Sequence, residues 1–339
     1  MKAAIFAYSR QGCRTAQRVA HALAADQLRL YTLERLEMPE FLSIPKPSKE
    51  FYGDVFKKMD ALIFVSSCGI AVREIAPFVS DKTTDPAVLV LDELGKFVIP
   101  LLSGHIGGAN ELAGMLAERL GAVPVVTTAT DVNGKFSVDA WAARNGYCID
   151  SMRAAKAVSA AILEQDIPLY TDLSVVSPYP AGVVPGREGS IGIYVGCRTW
   201  KPFANTLTLI PPMLHLGIGC RRGTSEAEIE EALTKVLSQY RIDRRAIVCA
   251  ASIDLKQEEA GLLSFCRHNH WPVRFYSAKV LGALQGAFTP SAFVSQITGV
   301  DNVCERAAMM GARQLIVRKT AHNGVTIALA AEHKEVNFG

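Results

Sequence analysis

Short apolar runs that alternate with helix-like segments are the feature that most restricts the folds open to the first part of this sequence. The runs Ala3–Tyr8, Asp60–Ser66, Ala87–Leu91 and Phe97–Leu102 are each five to seven residues long and almost continuously apolar, which is typical of strands buried on both faces. Helix-like segments such as Thr15–Ala24 separate most of them. This order predicts a mainly parallel sheet with helices on both faces.

The character of the sequence changes twice along the chain, which predicts three domains. After Asp131 the chain becomes rich in proline and glycine between short apolar runs, and Pro211-Pro212 marks a boundary. A further strand–turn–helix unit then begins, with Ser225 and Glu228 at the spacing of a capping box. We predict an α/β fold with several domains, in which two α/β units with mainly parallel sheets flank a small middle α+β domain. The predicted domains are residues 1–131, 132–212 and 213–339.

Composition excludes several classes of function. The chain has 339 residues, of which 49% are hydrophobic and 20% charged, so it supports packed cores. Its net charge of +3 and the lack of a run of basic residues argue against nucleic acid as a partner. No apolar run approaches the ~20 residues of a membrane span, no secretory signal begins the chain, and the eight cysteines form no CxxC pair. We therefore expect a cytoplasmic protein with reduced cysteines and no membrane partner.

A glycine-rich turn between a predicted strand and a predicted helix is the strongest candidate for a functional site. The segment Leu101–Ala113 reads LLSGHIGGANELA, so the turn leaves backbone N–H groups unshielded at the positive N-terminus of a helix. Such a turn suits an anion, and His105 with Glu111 adds groups that transfer protons near neutral pH. A tight turn with a helix cap is the alternative without function. The remaining candidate ligand-binding residues of this turn are Ser103, Gly104, Gly107, Gly108 and Asn110.

Two other strand-to-helix turns carry arginines that suit an anionic ligand. Arg73 is predicted just inside the start of a helix, where the helix dipole disfavours a cation unless an anion or Glu74 faces it; a solvated surface arginine is the alternative. The segment Gly217–Gly223 brings Arg221 and Arg222 to a second turn. Its GxGxxxG spacing differs from the dinucleotide fingerprint, which makes anion binding a better prediction than nicotinamide binding.

Common catalytic motifs are missing from the sequence. The segment Cys266–His270 (CRHNH) resembles a metal site but has no second cluster of ligands, so we predict no metal site. The sequence has no HExxH, GxSxG or Walker motif, which argues against zinc hydrolases, elbow-type serine hydrolases and P-loop enzymes. All three turns follow strands, and α/β folds place ligands at such strand ends. The pattern therefore predicts a sizeable anionic ligand that is bound by several turns.

Long motifs in the first and last thirds of the chain resemble the CbiG family of cobalamin-biosynthesis proteins. They occur in the same order and cover most of residues 60–131 and 213–330. The last third also resembles the stand-alone CobE-type proteins, which supports its treatment as a separate domain. The matching motifs are GIAVREIAP (Gly69–Pro77), the run from Asp85 to Ala113 that contains SGHIGGANELA, PVVTTATD (Pro124–Asp131), GIGCRRGTS (Gly217–Ser225), SIDLKQEE (Ser252–Glu259), PVRFYSA (Pro272–Ala278) and TPSAFVSQITGVDNVCERAA (Thr289–Ala308).

The resemblance implies an enzyme that hydrolyses cobalt-precorrin-5A on the anaerobic route to cobalamin. Such an enzyme opens a δ-lactone on a cobalt-containing macrocycle and releases the former meso carbon with its methyl group as acetaldehyde. The cobalt belongs to the substrate, so no cofactor of the protein's own is implied. The expected partner is this small-molecule substrate. Two further partners are possible, namely neighbouring enzymes of the pathway and a second copy of the chain in a homodimer. A non-catalytic carrier of cobalt tetrapyrroles is the main alternative, and a nicotinamide-dependent reductase is a third.

The reaction that the resemblance implies suggests roles for the candidate residues. Lactone opening needs an activated water and donors for an oxyanion, and loss of the two-carbon fragment needs an acid. We expect His105 to act as the base or the acid with help from Glu111, and the amides of Gly107 and Gly108 to serve as donors. The residues expected to bind the carboxylates of the substrate are Arg73, Arg221 and Arg222, with Gly219, Ser252, Lys256 and Asp301 on an opposite wall.

Overall fold

The computed structural model describes residues 1–81 and 83–339, which form two compact units, residues 1–140 and 141–339. The second unit contains two larger sheets, one formed by strands before residue 212 and one by strands after it. The division into three domains stays a prediction. No helix in the described ranges is long and apolar enough to cross a membrane.

The first unit is built on a single larger sheet. Its strands are β1 (Lys2–Ala7), β2 (Gln27–Thr32), β3 (Leu42–Ser43), β4 (Ala61–Val65), β5 (Ala87–Leu91), β6 (Phe97–Leu102) and β7 (Val123–Pro124). Their order across the sheet is β3-β2-β1-β4-β5-β6-β7, and β1 to β5 run parallel to one another. The central strands β1, β4 and β5 are almost entirely buried, as their continuous apolar sequences predict.

Helices cover both faces of this sheet. Because successive strand residues point to opposite faces, Ile5 of β1 packs with one pair of helices (α1 and α4), whereas Phe6 packs with the other pair (α2 and α3). The ring of Phe6 stacks on that of Phe64 with centroids 4.8 Å apart. The helices that begin in this unit are α1 (Arg10–Ala22), α2 (Lys49–Lys58), α3 (Cys68–Ile75), α4 (Ala109–Leu120), α5 (Ala129–Val132) and α6 (Val138–Arg144).

One strand runs against its neighbour, and it decides where the glycine-rich turn lies. β6 pairs antiparallel with β5, so that Leu102 at its end lies beside Val88 near the start of β5. The turn after β6 therefore lies at the edge where β4 and β5 begin, whereas the turn between β4 and α3 lies at the opposite edge. A fully parallel sheet would place both turns at one edge, but the antiparallel course of β6 places them at opposite edges of this sheet.

The first larger sheet of the second unit, here called the middle sheet, has the strand order β11-β9-β12-β13-β8. Its pairs are parallel except for the antiparallel pair of β13 with β8. One further short strand, β10, pairs with β19 near the C-terminus. The strands of this region are β8 (Cys148–Ile149), β9 (Ile167–Thr171), β10 (Ser174–Val175), β11 (Val183–Pro185), β12 (Ile191–Val195) and β13 (Asn205–Ile210).

The C-terminal sheet has the strand order β16-β15-β14-β18-β17, in which β14, β15 and β16 are parallel and β17 and β18 are antiparallel. Its strands, with β19, are β14 (Leu214–Cys220), β15 (Ile247–Ile253), β16 (Val273–Tyr276), β17 (Gln314–His322), β18 (Val325–Ala331) and β19 (Glu335–Val336). The helices of the second unit are α7 (Met152–Ala161), α8 (Glu226–Tyr240), α9 (Ala260–His268), α10 (Ala278–Ala283), α11 (Ala292–Thr298) and α12 (Cys304–Met309). Short 3₁₀ turns occur at Glu34–Leu36, Ala76–Phe78, Arg244–Ala246 and Asp254–Lys256.

The glycines of the GIGCRRG motif lie largely inside a strand. β14 extends to Cys220, so the predicted turn from Gly217 begins only at Arg221. A Cβ on Gly217 would lie 1.8 Å from the carbonyl oxygen of Cys304 in α12. Glycine is therefore required here because a helix backbone crosses the strand at close range, and not because a ligand approaches it.

The mostly parallel sheets and the helices between their strands confirm the predicted α/β fold class. The capping box that joins Ser225 and Glu228 at the start of α8 is also confirmed. The sequence analysis missed α2 and β2. The segment Gln27–Thr32 alternates polar and apolar residues and is half exposed, so it lacks the continuous apolar run that revealed β1, β4 and β5. β7 includes only Val123–Pro124, the first two residues of the segment VPVVT at residues 123–127.

Candidate active site

The loop from β6 to α4, residues 103–108, adopts a conformation that restricts its side chains. Ser103 has a φ of +56° and Gly108 a φ of +78°, both in the left-handed region that favours glycine. A Cβ on Gly107 would lie 2.4 Å from the Cβ of Ser103. The Ser103 hydroxyl donates to the carbonyl of Asp85 at 2.9 Å and anchors the start of the loop. The glycines of this 103–108 loop are therefore required by its shape.

The amides at the end of the 103–108 loop and at the start of α4 are already bonded. The Gly108 N–H donates to the carbonyl of His105 at 3.0 Å, so it is not available as the oxyanion donor expected from the sequence. The first two amides of α4 donate to the carbonyls of Ser103 and Gly104. The Gly107 N–H has no acceptor among the described residues, and neither do the N–H groups of residues 103–106, so Gly107 is one of several amides that this loop can offer to a ligand.

The imidazole of His105 lies between two carboxylates. Its Nε2 is 2.8 Å from Oδ2 of Asp131, and its Nδ1 is 3.1 Å from Oδ1 of Asp139. The side chain of Asp139 is 3% exposed and that of His105 is 17% exposed, whereas Asp131 is 37% exposed. Because each ring nitrogen faces a carboxylate, the arrangement favours the imidazolium, in which both nitrogens are donors.

Asp131 is fixed by residues that follow β7. Its Oδ2 accepts a hydrogen bond from the Asn110 amide at 3.1 Å and another from the Thr128 hydroxyl. Asn110 also donates to the Thr128 oxygen at 2.9 Å, and the Thr130 hydroxyl lies 3.3 Å from Nε2 of His105. The predicted residue Asn110 therefore positions the partner of His105. The network joins the PVVTTATD motif to the SGHIGGANE motif.

The two carboxylates set the protonation state of His105. The hydrogen bond to Asp139, with that to Asp131, raises the pKa of His105 above its ordinary value, against the opposing effect of burial. Burial acts to raise the pKa of Asp131, but hydrogen bonds from Thr128 and His105 outweigh it and lower that pKa. The two carboxylates therefore favour the imidazolium form of His105. Of the two roles predicted for His105, acid and base, this form fits the acid.

Glu111, which was predicted to assist His105, lies in the first turn of α4 and is exposed. No hydrogen bond or ion pair among the described residues joins Glu111 to His105. Its charge instead complements the positive end of the helix dipole. The sequence analysis missed Asp131 and Asp139 as partners of His105. Asp131 ends a motif that carried the family resemblance, which is the one signal that could have identified it.

Arg73 lies in the last turn of α3 and not near its start, because this helix is only eight residues long. A cation is favoured at the C-terminal end of a helix dipole. The argument that Arg73 needs an anionic ligand to explain its position was therefore wrong. The residue is exposed, and its role in binding stays a prediction.

Three basic side chains that were predicted to bind the substrate follow β14 and its neighbour β15 at one edge of the C-terminal sheet. Arg221 and Arg222 are exposed and form no ion pair in the described part of the chain. Lys256, which follows the parallel neighbour β15, is 17% exposed and pairs with Glu259 at 2.9 Å. Glu259 also accepts a hydrogen bond from the Gly223 N–H at 2.9 Å. The exposed arginines at this edge can bind an anion, whereas Lys256 is already paired.

Three other predicted binding residues are engaged in structural contacts. Ser252 is fully buried, and its hydroxyl donates to a carbonyl of β14 at 2.7 Å. Asp301 accepts from Nε of Arg306 at 2.7 Å. Gly219 lies within β14, where a Cβ would be 2.5 Å from the hydroxyl oxygen of Thr326. The structure therefore supports a packing role for these residues, and their binding roles stay predictions.

A buried histidine escaped the sequence analysis. His215 in β14 is 3% exposed, and its Nε2 lies 2.7 Å from Oε1 of Glu332. Cys249, its neighbour in register on β15, and Glu332 raise the pKa of His215 to about 9. The sequence signal that could have identified His215 is a single histidine within an otherwise apolar strand. No group of three or more His, Cys, Asp or Glu side chains in the described ranges is placed to hold a metal ion.

Comparisons with known proteins identify the family of the chain. Residues 50–131 match the family description "Cobalamin synthesis G N-terminal", and residues 214–330 match "Cobalamin synthesis G C-terminus". A cobalt-precorrin-5A hydrolase from Priestia megaterium is 36% identical over 81% of this chain and 79% of that protein. A cobalt-precorrin-5A hydrolase from Salmonella typhimurium is 34% identical over 97% of each chain. Protein CobE from Sinorhizobium sp is 34% identical over 34% of this chain and 79% of CobE. The chain belongs to the CbiG family of cobalamin-synthesis proteins.

Proposed function

We propose that this chain hydrolyses cobalt-precorrin-5A in cobalamin biosynthesis. The observation that carries this function is that two relatives named cobalt-precorrin-5A hydrolase are 36% and 34% identical over most of both chains. The finer reaction that we propose is the opening of a δ-lactone on the cobalt macrocycle, followed by release of acetaldehyde. The family match includes the 103–108 loop and Asp131, which supports the placement of chemistry there.

In the proposed reaction, His105 acts as the general acid. A water molecule adds to the lactone carbonyl, the acyl C–O bond breaks, and the released hydroxyl takes a proton. Loss of the two-carbon fragment then requires a proton on carbon, which an imidazolium can supply. The Gly107 N–H would stabilise the oxyanion of lactone opening. Asp139, which is almost completely buried, orients the imidazole, and the more exposed Asp131 is the carboxylate that can accept a hydrogen bond from water.

The substrate presents carboxylates to the protein and carries its own cobalt. We propose that Arg221 and Arg222 bind acetate or propionate groups of the macrocycle, because both side chains are exposed cations without an ion pair in residues 1–81 and 83–339. Guanidinium groups bind carboxylates in a bidentate manner. The reaction as proposed requires no resident cofactor, since the metal arrives with the substrate.

The test is an anaerobic incubation of the purified protein with cobalt-precorrin-5A, in which volatile aldehyde is trapped and the mass of the macrocycle is followed. We expect acetaldehyde and a product that has lost the two-carbon fragment. Because the reaction needs the imidazolium form of His105, whose pKa is raised, the rate should fall as the pH rises through that pKa. Substrate that remains intact but co-purifies with the protein would instead establish a carrier of cobalt tetrapyrroles.

A further inference from the structure

A cavity of about 870 Å³ lies within the second unit and is lined by residues from the regions of both of its larger sheets. Residues 172–174 follow β9 of the middle sheet, and residues 197, 198 and 200 follow its strand β12. The end of α8 and residues 313–316 and 331–334 come from the region of the C-terminal sheet. Its volume lies in the range of sites for large small molecules. None of the residues assigned above to the reaction lines it.

The acidic groups that line this cavity are already engaged by protein partners. Asp172 accepts hydrogen bonds from the hydroxyls of Tyr170 and Tyr194 at 2.8 and 2.6 Å. The Glu332 carboxylate is paired with His215, whose raised pKa keeps its imidazole charged at neutral pH. The local charge of Glu332 is thus offset by a buried cation.

The basic groups of the cavity are more available than its acidic groups. Arg241 and Arg313 line the cavity and form no ion pair with any residue that the structure describes. Arg198 donates to the carbonyl of Tyr240 at 2.7 Å and is held against the wall. The cavity is lined by more basic than acidic side chains, namely Arg198, Arg241, Arg313 and Lys334 against Asp172 and Glu332, so it presents a net positive charge to a ligand.

The backbone of Arg241 gives a second, independent reason to look for a ligand. Arg241 ends α8 with a φ of +53°, a position that helices usually fill with glycine. A left-handed backbone conformation is unfavourable for a residue with a Cβ. Residues that nevertheless adopt this conformation are often found at functional sites. The arginine side chain is therefore present at a position where the fold alone would favour glycine.

The remaining lining suits a flat apolar body. Trp200 packs edge-on against Tyr170 and Tyr194, with ring centroids 5.3 and 5.5 Å away. Met213 and Ile316 add apolar surface to the same cavity. We propose that this cavity binds an amphipathic polycarboxylate of the tetrapyrrole class, with Arg241 and Arg313 as carboxylate ligands. The assignment to tetrapyrroles rests on the proposed function, because the substrate and the product both belong to that class.

The test uses the full-length protein and uroporphyrin, a metal-free tetrapyrrole with acetate and propionate groups, whose binding is followed by fluorescence titration. Arg241→Gly should weaken binding about tenfold or more, because a charge-assisted hydrogen bond is lost, while the thermal unfolding temperature stays the same or rises. Arg313→Gln should weaken binding similarly. Arg274→Gln removes an exposed arginine of the same unit that does not line the cavity, and it should leave the Kd unchanged.

The outcomes separate this proposal from the proposed function. Equal Kd values for the wild type, Arg241→Gly and Arg313→Gln would overturn the cavity site, even if acetaldehyde release were normal. Displacement of the porphyrin by a nicotinamide dinucleotide would also overturn it, since the cavity would then take a different ligand class. Weaker binding in both variants, with the Arg274 control unaffected, would support the site even if the wild type released no acetaldehyde.

Discussion

The 103–108 loop and the turn after β14 both link a strand to a helix and both contain glycine, yet they are built for different tasks. In the 103–108 loop the backbone bonds to itself, and His105 is held between two carboxylates. In the turn after β14, Arg221 and Arg222 are exposed. The two glycines of this motif whose Cβ positions are crowded by other atoms, Gly217 and Gly219, lie inside the strand and not in the turn. One region fixes an imidazole between two carboxylates, and the other displays positive charge.

The difference shows that a glycine-rich strand-to-helix segment does not by itself reveal its role. A loop that fixes a side chain on both sides can support proton transfer, because the donor is oriented before the substrate arrives. A turn with exposed, unpaired arginines can increase the affinity for a substrate, but it does not hold a catalytic side chain in position before the substrate binds. We therefore expect substitutions in the first region to change turnover, and those in the second to change substrate affinity.

The largest expected effect comes from His105→Gln, which removes the proposed acid but keeps a polar side chain. We expect kcat for acetaldehyde release to fall by about 10²–10⁴-fold, the usual contribution of general acid catalysis, with a smaller change in KM. Steady-state kinetics measures this split. Glu118→Gln, an exposed change on α4, is the control and should leave kcat unchanged. Full turnover by His105→Gln would remove the catalytic distinction between the two regions.

Alanine at two glycines of the GIGCRRG motif should separate packing from turn geometry. Gly217→Ala places a Cβ 1.8 Å from a helix carbonyl and should lower the free energy of unfolding by about 3 kcal/mol or more. Gly223→Ala meets no atom within 4 Å but keeps a φ of +75°, so about 1–2 kcal/mol is expected. Chemical denaturation measures both. If the two variants lost equal free energies of unfolding, the close contact between Gly217 and α12 would not be what requires glycine in this motif.

The stability of the second unit should depend on pH through His215. Its folded pKa of about 9 exceeds the ordinary histidine value of 6.5, so the stabilisation from the protonated imidazole is complete below about pH 6.5 and is lost as the pH rises through 9. Because Glu332 is partly exposed, we expect a loss of about 1–3 kcal/mol. Denaturation of the wild type and of His215→Gln across this range measures the difference. A difference in the free energy of unfolding between the wild type and His215→Gln that does not change with pH would contradict the stabilising role of the protonated His215.

The same comparison shows how far the sequence leads. Continuous apolar runs identified β1, β4 and β5, because strands buried on both faces need no other signal. The glycine-rich loop and His105 were also recognised from local sequence. The antiparallel course of β6 was not, because strand direction depends on pairing and not on local composition. Asp139 lies 34 residues beyond His105 in the sequence, and only the fold brings its carboxylate to the imidazole.

The smallest expected effect comes from Arg222→Gln in the turn after β14. An exposed charge contributes about 0.2–1 kcal/mol to an ionic contact, so KM should rise by about 1.4- to fivefold while kcat stays unchanged. Added salt should reduce the difference between the wild type and the variant, because it screens exposed charges. Arg267→Gln, an exposed change at the end of α9, is the control. A fall in kcat with an unchanged KM would place this turn with the 103–108 loop as part of the chemistry, since a residue that only adds affinity cannot slow turnover at saturating substrate.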